Sequence, residues 1–455
     1  MVNTNRQDYK KDLEEVVFMF SDGSDVTVEH KEENDGKIFK NYFNLDGKDF
    51  YFENTAVCKD ELSLKRMQKR FSKLGLYKIL SERYNVKLEW GALTGIRPTK
   101  MAYQAGENFE KEFDEIFSVS RKKTALIKDI LNTQKGIIDL KGEYQDIFVS
   151  IPFCPTKCLY CSFISQQITK KQTVKDYVKT LIKEIQEGLN LIKNPRSLYI
   201  GGGTPVSLDE EDLESLLTSL KPIICKVKEF TVEAGRPDAI TYEKLAILKK
   251  HGVTRVCVNP QTFNDQTLKI IGRKHTAQDI LDKYELVKSL GFSINMDFIA
   301  GLPNETFSDF ENSIKKAISL SPDNITVHTL CLKKGSVLKE KVKRLSDKEI
   351  SKMIDFSHEI LKQNGYNPYY LYRQKYMAGN LENTGYSKKG KECIYNIDVM
   401  EETSSNIAFG ANAVSKVVFL EENRIERYGT PKDVLTYLNK IETIIKDKEN
   451  LFNGL

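Results

Sequence analysis

The sequence predicts an α/β protein built around a partial (β/α)6 barrel, with an α+β N-terminal domain before it and a mixed C-terminal extension after it. Three observations lead there. From about Gln145, six β-branched runs alternate with amphipathic stretches long enough to be crossover helices. The residues before this region follow a different rhythm, with short alternating runs and then long helical blocks. A tight cluster of cysteines follows the first of the six runs, where a barrel of this kind carries its chemistry.

The N-terminal domain is taken as residues 1–140. Glu14–Phe20, Asp25–His30, Ile38–Asn44 and Asp49–Asn54 read as short strands, separated by turn signals at Asp22-Gly23 and Asp46-Gly47. A helical pattern runs from about Lys59 to Tyr84. The turn-rich segment Trp90–Lys100 follows, and then more helix to about Gln134.

The barrel is taken as residues 141–343. Its expected strands are Asp146–Ile151, Ser197–Ile200, Glu229–Glu233, Arg255–Asn259, Phe292–Phe298 and Asn324–Leu330. Its expected helices are Val174–Leu191, Glu211–Leu220, Tyr242–Lys250, Asp279–Leu290 and Thr306–Leu320. Strands separated by crossovers pair in parallel, and six units fall short of an eight-fold barrel. Residues 344–455 form the extension, helical and then mixed, and are expected to cover the substrate. They carry the cluster Tyr366, Tyr369, Tyr370, Tyr372, Arg373, Gln374, Lys375 and Tyr376.

Composition narrows the function classes. A chain of 455 residues is too long for one core and fits two to three domains. A net charge of +5 over this length, with no basic stripe, argues against nucleic acid. No run of 18 apolar residues appears, so no membrane span is expected. The polar start MVNTNRQDYKKDLEE lacks the apolar region of a secretory signal. Five of the eight cysteines are scattered, which fits a reducing cytoplasm rather than a disulfide framework.

The other three are Cys154, Cys158 and Cys161, spaced C-x3-C-x2-C. Spacing alone leaves two metal readings open. Three thiolates can hold three irons of a [4Fe–4S] cluster and leave the fourth iron open to a ligand. A three-cysteine zinc site would need a fourth donor to close its shell, and none of the five histidines is near in sequence. Three unrelated buried thiols are the bland alternative. Downstream, Gly201-Gly202-Gly203-Thr204-Pro205 ends the second strand, where missing side chains let a ligand approach the backbone. Glu233 ends strand three, Gln261 follows strand four with Arg273 and His275 beyond it, and Asp297 lies near the end of strand five. Each alone reads as a cap or a solvated loop charge. Together they converge on one mouth.

These residues resemble those of the radical S-adenosylmethionine (radical SAM) enzymes, and in detail the oxygen-independent coproporphyrinogen III oxidase (dehydrogenase) family. The matching pieces are Ile151-Pro152-Phe153-Cys154, Gly201–Pro205, Gln261 with Arg273, and Asp297 before Gly301-Leu302-Pro303. Leu93–Lys100, Val232–Asp238, Tyr369–Lys375, Gly379–Asn383 and Tyr395–Ile397 are similar to the branch of that family found in Gram-positive bacteria.

The resemblance implies that Cys154, Cys158 and Cys161 ligate a [4Fe–4S] cluster and that S-adenosylmethionine occupies its open iron. Gly202, Gly203 and Thr204 would lie against the methionine part, and Glu233, Gln261, Arg273 and Asp297 would contact the cofactor. It also implies oxidative decarboxylation of coproporphyrinogen III to protoporphyrinogen IX, an external electron donor such as flavodoxin or ferredoxin, and oxygen-protected conditions. A tetracarboxylate substrate calls for cations; Lys333, Lys334, Arg373 and Lys375 are the candidates, with the neighbouring tyrosines lining a flat macrocycle or else packing as an ordinary strand. Arg97 and Lys100 are weaker candidates, because an Arg-Pro pair more often makes a turn. Two departures bear on substrate: Phe148 and Ser150 stand where the family's oxidases have Tyr and His, and Phe163 stands where they have a further cysteine. They leave room for action on another tetrapyrrole, such as heme methylation or ring opening, and for a heme-binding chaperone.

Overall fold

The structure, a computed structural model, describes all residues except 22–24, 95–96, 162–165, 169, 332–345, 375–376 and 454–455. The chain divides into two compact units, one of Met1–Leu131 with Leu371–Glu382, the other of Asn132–Tyr370 with Asn383–Leu455.

In the first unit the strands Val2–Thr4, Val28–Asn34, Ile38–Leu45 and Lys48–Thr55 pair in chain order. Their core is shared with the helices Lys10–Phe18 and Glu61–Tyr84. Glu14–Phe20, expected as a strand, is instead helical through Phe18. The Val16-Val17-Phe18 run has β propensity, but Leu13, Val16 and Val17 sit at helical spacing and all are buried. Burial of one helix face decides against propensity there.

His30 is buried in this unit, with its ring nitrogens 2.9 Å from Thr4 Oγ1 and 2.9 Å from Asn41 Oδ1. Burial holds the imidazole below its ordinary value of 6.5. The folded state therefore keeps His30 neutral while the unfolded chain takes up a proton below 6.5. Stability from this group is intact above that pH and is lost as pH falls through it. Urea melts followed by tyrosine fluorescence between about pH 7.5 and 5.5 should show the midpoint of the first unit falling, with a smaller slope in His30→Gln.

The second unit follows the predicted barrel. Its elements are β1 (Gln145–Ile151), α1 (Lys171–Glu187), β2 (Pro195–Gly202), α2 (Glu210–Ser219), β3 (Glu229–Gly235), α3 (Tyr242–Lys250), β4 (Arg255–Val258), α4 (Ala277–Ser289), β5 (Ser293–Ala300), α5 (Phe307–Leu320) and β6 (Asn324–Thr329). The six strands are parallel and adjacent in chain order, giving an open (β/α)6 arrangement. They are buried along nearly their whole length, which is why they appear in the sequence as continuous β-branched runs. Capping boxes at Thr276/Asp279 and Thr306/Asp309 start α4 and α5.

The extension adds α6 (Asp347–Gln363), β7 (Asn367–Tyr372), β8 (Asn383–Ser387), α7 (Ile394–Glu401), β9 (Ser405–Phe409), β10 (Val414–Phe419) and β11 (Arg424–Gly429). Its strands flank both sides of the barrel sheet, in the order β7-β8-β6-β5-β4-β3-β2-β1-β9-β10-β11. β9 joins β1 in parallel, with Ser405 opposite Gln145 and Phe409 opposite Val149.

Two tyrosines of β7 pack inward. Tyr369 and Tyr370 are buried. The Tyr370 ring fills the space over Gly385 of β8, where a Cβ would stand 1.8 Å from its Cε1. Its hydroxyl donates to Thr326 Oγ1 at 3.3 Å.

Candidate active site at the barrel mouth

The cysteine loop leaves the C-terminal end of β1. Other elements grip it. The Gly203 and Thr204 N–H groups donate to the Ile151 and Phe153 carbonyls, both at 2.7 Å. Leu159 N–H donates to Ile271 O at 3.0 Å, and Arg236 Nη1 donates to Thr156 O at 2.9 Å. The turn after β2 can come this close only because Gly203 has no side chain: a Cβ there would lie 2.4 Å from Phe153 O and 2.9 Å from Ile151 O. Gly202 takes φ +106°, a region that favours glycine.

Cys154, Cys158 and Cys161 are free thiols. Cys154 Sγ lies 3.5 Å from Thr204 Oγ1, and Cys158 Sγ lies 3.7 Å from Arg236 Nη1. Among the described residues no three His, Cys, Asp or Glu side chains stand ready as a group to hold a metal ion. The donor chemistry nevertheless fits an iron–sulfur cluster. The loop offers three thiols and no competing carboxylate, and buried guanidiniums of Arg236 and Arg273 are at hand to offset a thiolate-rich, negatively charged group.

Polar groups from β2 to β6 stand around the loop. Arg273 is buried, with Nη1 donating to Asn259 O at 2.5 Å and Nη2 to the Tyr160 hydroxyl at 2.9 Å. Its buried Nε has no partner and is the donor left over for a ligand. Gln261 takes φ +70°; its N–H donates to Asp297 O at 2.9 Å, and its carbonyl accepts from Ile299 N–H at 3.1 Å. The two carboxyls diverge electrostatically. Burial, helped by the Asp297 charge, pushes Glu233 up to about 7 despite the hydrogen bond from the Tyr199 hydroxyl at 2.6 Å. Burial acts on Asp297 too, but His328, 3.8 Å away, and the Asn295 amide, 2.7 Å away, hold it below the ordinary carboxylate range. Near neutral pH the mouth therefore offers one carboxylate and one carboxyl group at its titration point.

Inside the barrel, Tyr199 stacks on Tyr395 at 4.5 Å, and Phe148 stacks on both at 6.3 and 6.1 Å. Tyr395 is held there because Glu229 accepts from the Cys393 thiol at 3.2 Å and from the N–H groups of Ile394 and Tyr395 at 3.1 and 3.3 Å, at the start of α7.

The structure thus brings the three cysteines, the Gly202–Thr204 turn, Glu233, Gln261, Arg273 and Asp297 to one end of the barrel. Other sequence candidates go elsewhere. Arg373 lies away from the cysteine loop in sequence and packs in the first unit. It is 3% exposed in the first unit, with Nη1 on the Leu93 carbonyl, Nη2 on Asn380 O at 2.9 Å, and the guanidinium over the Trp90 ring at 5.0 Å. Lys333, Lys334, Lys375 and Phe163 lie outside the described residues. Arg97 precedes Pro98 at the start of the helix Pro98–Ala105, the turn role that Arg-Pro suggests. Sequence reading assigned no role to Tyr160, Tyr199, Tyr395 or Arg236. No spacing announces their convergence, although Arg236-Pro237 does mark a turn directly after β3.

Known proteins agree with this geometry. The radical SAM superfamily model matches residues 148–317. The oxygen-independent coproporphyrinogen-III oxidase-like protein HemZ of Bacillus subtilis is 38% identical, over 81% of this chain and 78% of its own. The heme chaperone HemW of the same organism is 36% identical, over 42% of this chain and 51% of its own. Among solved structures, the coproporphyrinogen III oxidase HemN of Escherichia coli shares the fold with a TM-score of 0.54, at 18% identity, over 68% of this chain and 72% of its own.

Proposed function

This chain belongs to the oxygen-independent coproporphyrinogen-III oxidase-like family of radical SAM proteins, and from that premise we propose that it oxidatively decarboxylates the propionates of coproporphyrinogen III to the vinyl groups of protoporphyrinogen IX. The family uses a [4Fe–4S] cluster and S-adenosylmethionine, which together supply a one-electron cleavage of the sulfonium and a radical able to take hydrogen from an unactivated carbon.

In this reading Cys154, Cys158 and Cys161 would ligate three irons. The Gly202–Gly203–Thr204 edge would receive the methionine backbone, Arg273 would offer its unpartnered Nε to the carboxylate, and Glu233 and Asp297 would take the amine and the ribose hydroxyls. Gln261 holds β4 and β5 in register beneath them. The buried aromatic stack keeps the barrel interior dry around the reacting carbon. An electron donor of the flavodoxin or ferredoxin type and a cytoplasmic setting complete the proposal. So does the division into residues 1–140, a barrel of 141–343 and a substrate-covering 344–455.

The observation that supports this reading most is the thiol loop clasped to the Gly203–Thr204 turn at the mouth of a six-stranded parallel barrel. Its test is an anaerobic assay of the reconstituted protein with coproporphyrinogen III, S-adenosylmethionine and a reductant. Protoporphyrinogen with CO2 release is expected. A second reading, heme handling without decarboxylation, draws on the HemW relatives and on Phe148 and Ser150, where the oxidases carry Tyr and His. Stoichiometric heme binding with no vinyl product would decide for it.

The raised Glu233 value gives a pH dependence. Deprotonation as pH rises through about 7 turns a neutral carboxyl into an acceptor for the cofactor's ammonium. Anaerobic equilibrium dialysis should show S-adenosylmethionine binding tighten several-fold over that range, and Glu233→Gln should flatten the profile.

A further inference from the structure

Arg236 does more than grip the cysteine loop, for its side chain ends beside Cys158. It is 3% exposed. Asp238 fixes it with a two-pronged pair, Nε to Oδ1 at 3.0 Å and Nη2 to Oδ2 at 2.7 Å. The buried His275 also approaches Asp238, with Nδ1 at 3.7 Å from Oδ1. That leaves Nη1, which spans the loop by donating to Thr156 O at 2.9 Å and pointing at Cys158 Sγ at 3.7 Å. A guanidinium is always charged, and its planar fork is rigid once one edge is tied to a carboxylate. The charge is therefore held in place at one specific sulfur.

We propose that Arg236, oriented by Asp238, sets the reduction potential of the cluster through an N–H···S hydrogen bond and a fixed positive charge at Cys158. The inference rests on the reading that Cys158 is a cluster ligand. Hydrogen bonds to ligand sulfur and local charge are two of the levers that set such potentials. A positive charge stabilises the reduced, more negative cluster, so Arg236 raises the potential and lets a mild donor deliver the electron. Arg236 is a positioning residue: it acts through the thiolate and needs no contact with substrate.

The test reconstitutes wild type, Arg236→Gln and Arg236→Lys anaerobically, counts iron and sulfide, and titrates the cluster with dithionite under EPR observation. The expected result is full cluster content in all three, with a more negative midpoint in Arg236→Gln and a smaller shift in Arg236→Lys, which keeps charge but loses the fork. Asp238→Asn is no substitute for these variants, because it removes a negative charge as well as the tie and the two act on the midpoint in opposite directions. If Arg236→Gln fails to load, Arg236→Lys decides. Unchanged midpoints in the loaded variants would overturn the proposal. A Cys158→Ala control separates the two ideas: if it holds a full four-iron cluster with an unaltered spectrum, the ligand assignment itself falls.

Discussion

Replacing Cys158 by alanine is expected to abolish S-adenosylmethionine cleavage while leaving the fold intact. Cys158 is buried in the loop after β1, but the loop's backbone is held by hydrogen bonds that do not involve its sulfur. Loss of one small buried group costs about 1–2 kcal/mol, which a two-unit chain of this size tolerates. Loss of one of three thiolates leaves too few ligands for a cluster that normally takes four. Iron per chain should drop steeply after reconstitution, the visible absorbance of the cluster should disappear, and 5′-deoxyadenosine formation should fall at least a thousand-fold, to background. Circular dichroism should match wild type. A variant that still cleaves the cofactor at a measurable rate would remove Cys158 from the site.

The second large effect is expected at Gly203. An alanine there would place its Cβ 2.4 Å from Phe153 O and 2.9 Å from Ile151 O, closer than atoms can approach. Both contacts are backbone, so neither can swing aside. Either the turn after β2 or the cysteine loop must move, and with it the Gly203 N–H to Ile151 O and Thr204 N–H to Phe153 O hydrogen bonds. Overpacking of this kind costs about 1–3 kcal/mol or more. A displacement near 1 Å at reacting groups costs about a hundred-fold in rate. Gly203→Ala should therefore lower the melting temperature by several degrees and cut cofactor cleavage about a hundred-fold or more, whereas an alanine at Gly429, where the nearest atom is Val414 Cγ2 at 3.9 Å, should leave cofactor cleavage within a few-fold of wild type. Equal effects at both positions would argue against the close approach as the cause.

Much of the barrel was legible in the sequence because its strands are buried on both faces. Continuous runs such as Ile147–Val149 and Val256–Val258 need no tertiary information to be seen. The site was legible for a related reason: thiols on one loop and a triple glycine carry their meaning in spacing. What stayed hidden depends on long-range packing. Nothing local marks Arg236 as a partner of Cys158, because the contact exists only once β3 lies beside β2. The burial of Arg373 was hidden too, because Leu93 and Trp90, which it meets, are far from it in sequence. Val16 and Val17 looked like strand because β propensity ignores which neighbours will cover a helix face.

The parallel pairing of β9 with β1 has a consequence for how the protein matures. β1 is the strand that delivers the cysteine loop, and it is flanked by β2 on one side and by Ser405–Phe409 on the other. Synthesis proceeds from the N-terminus, and contacts between residues so distant along the chain form late. Until Phe409 has emerged from the ribosome, one whole edge of β1 lacks its hydrogen-bonding partner. A polypeptide truncated before residue 405 therefore lacks the strand that closes this edge of β1, even though every cysteine of the motif is present.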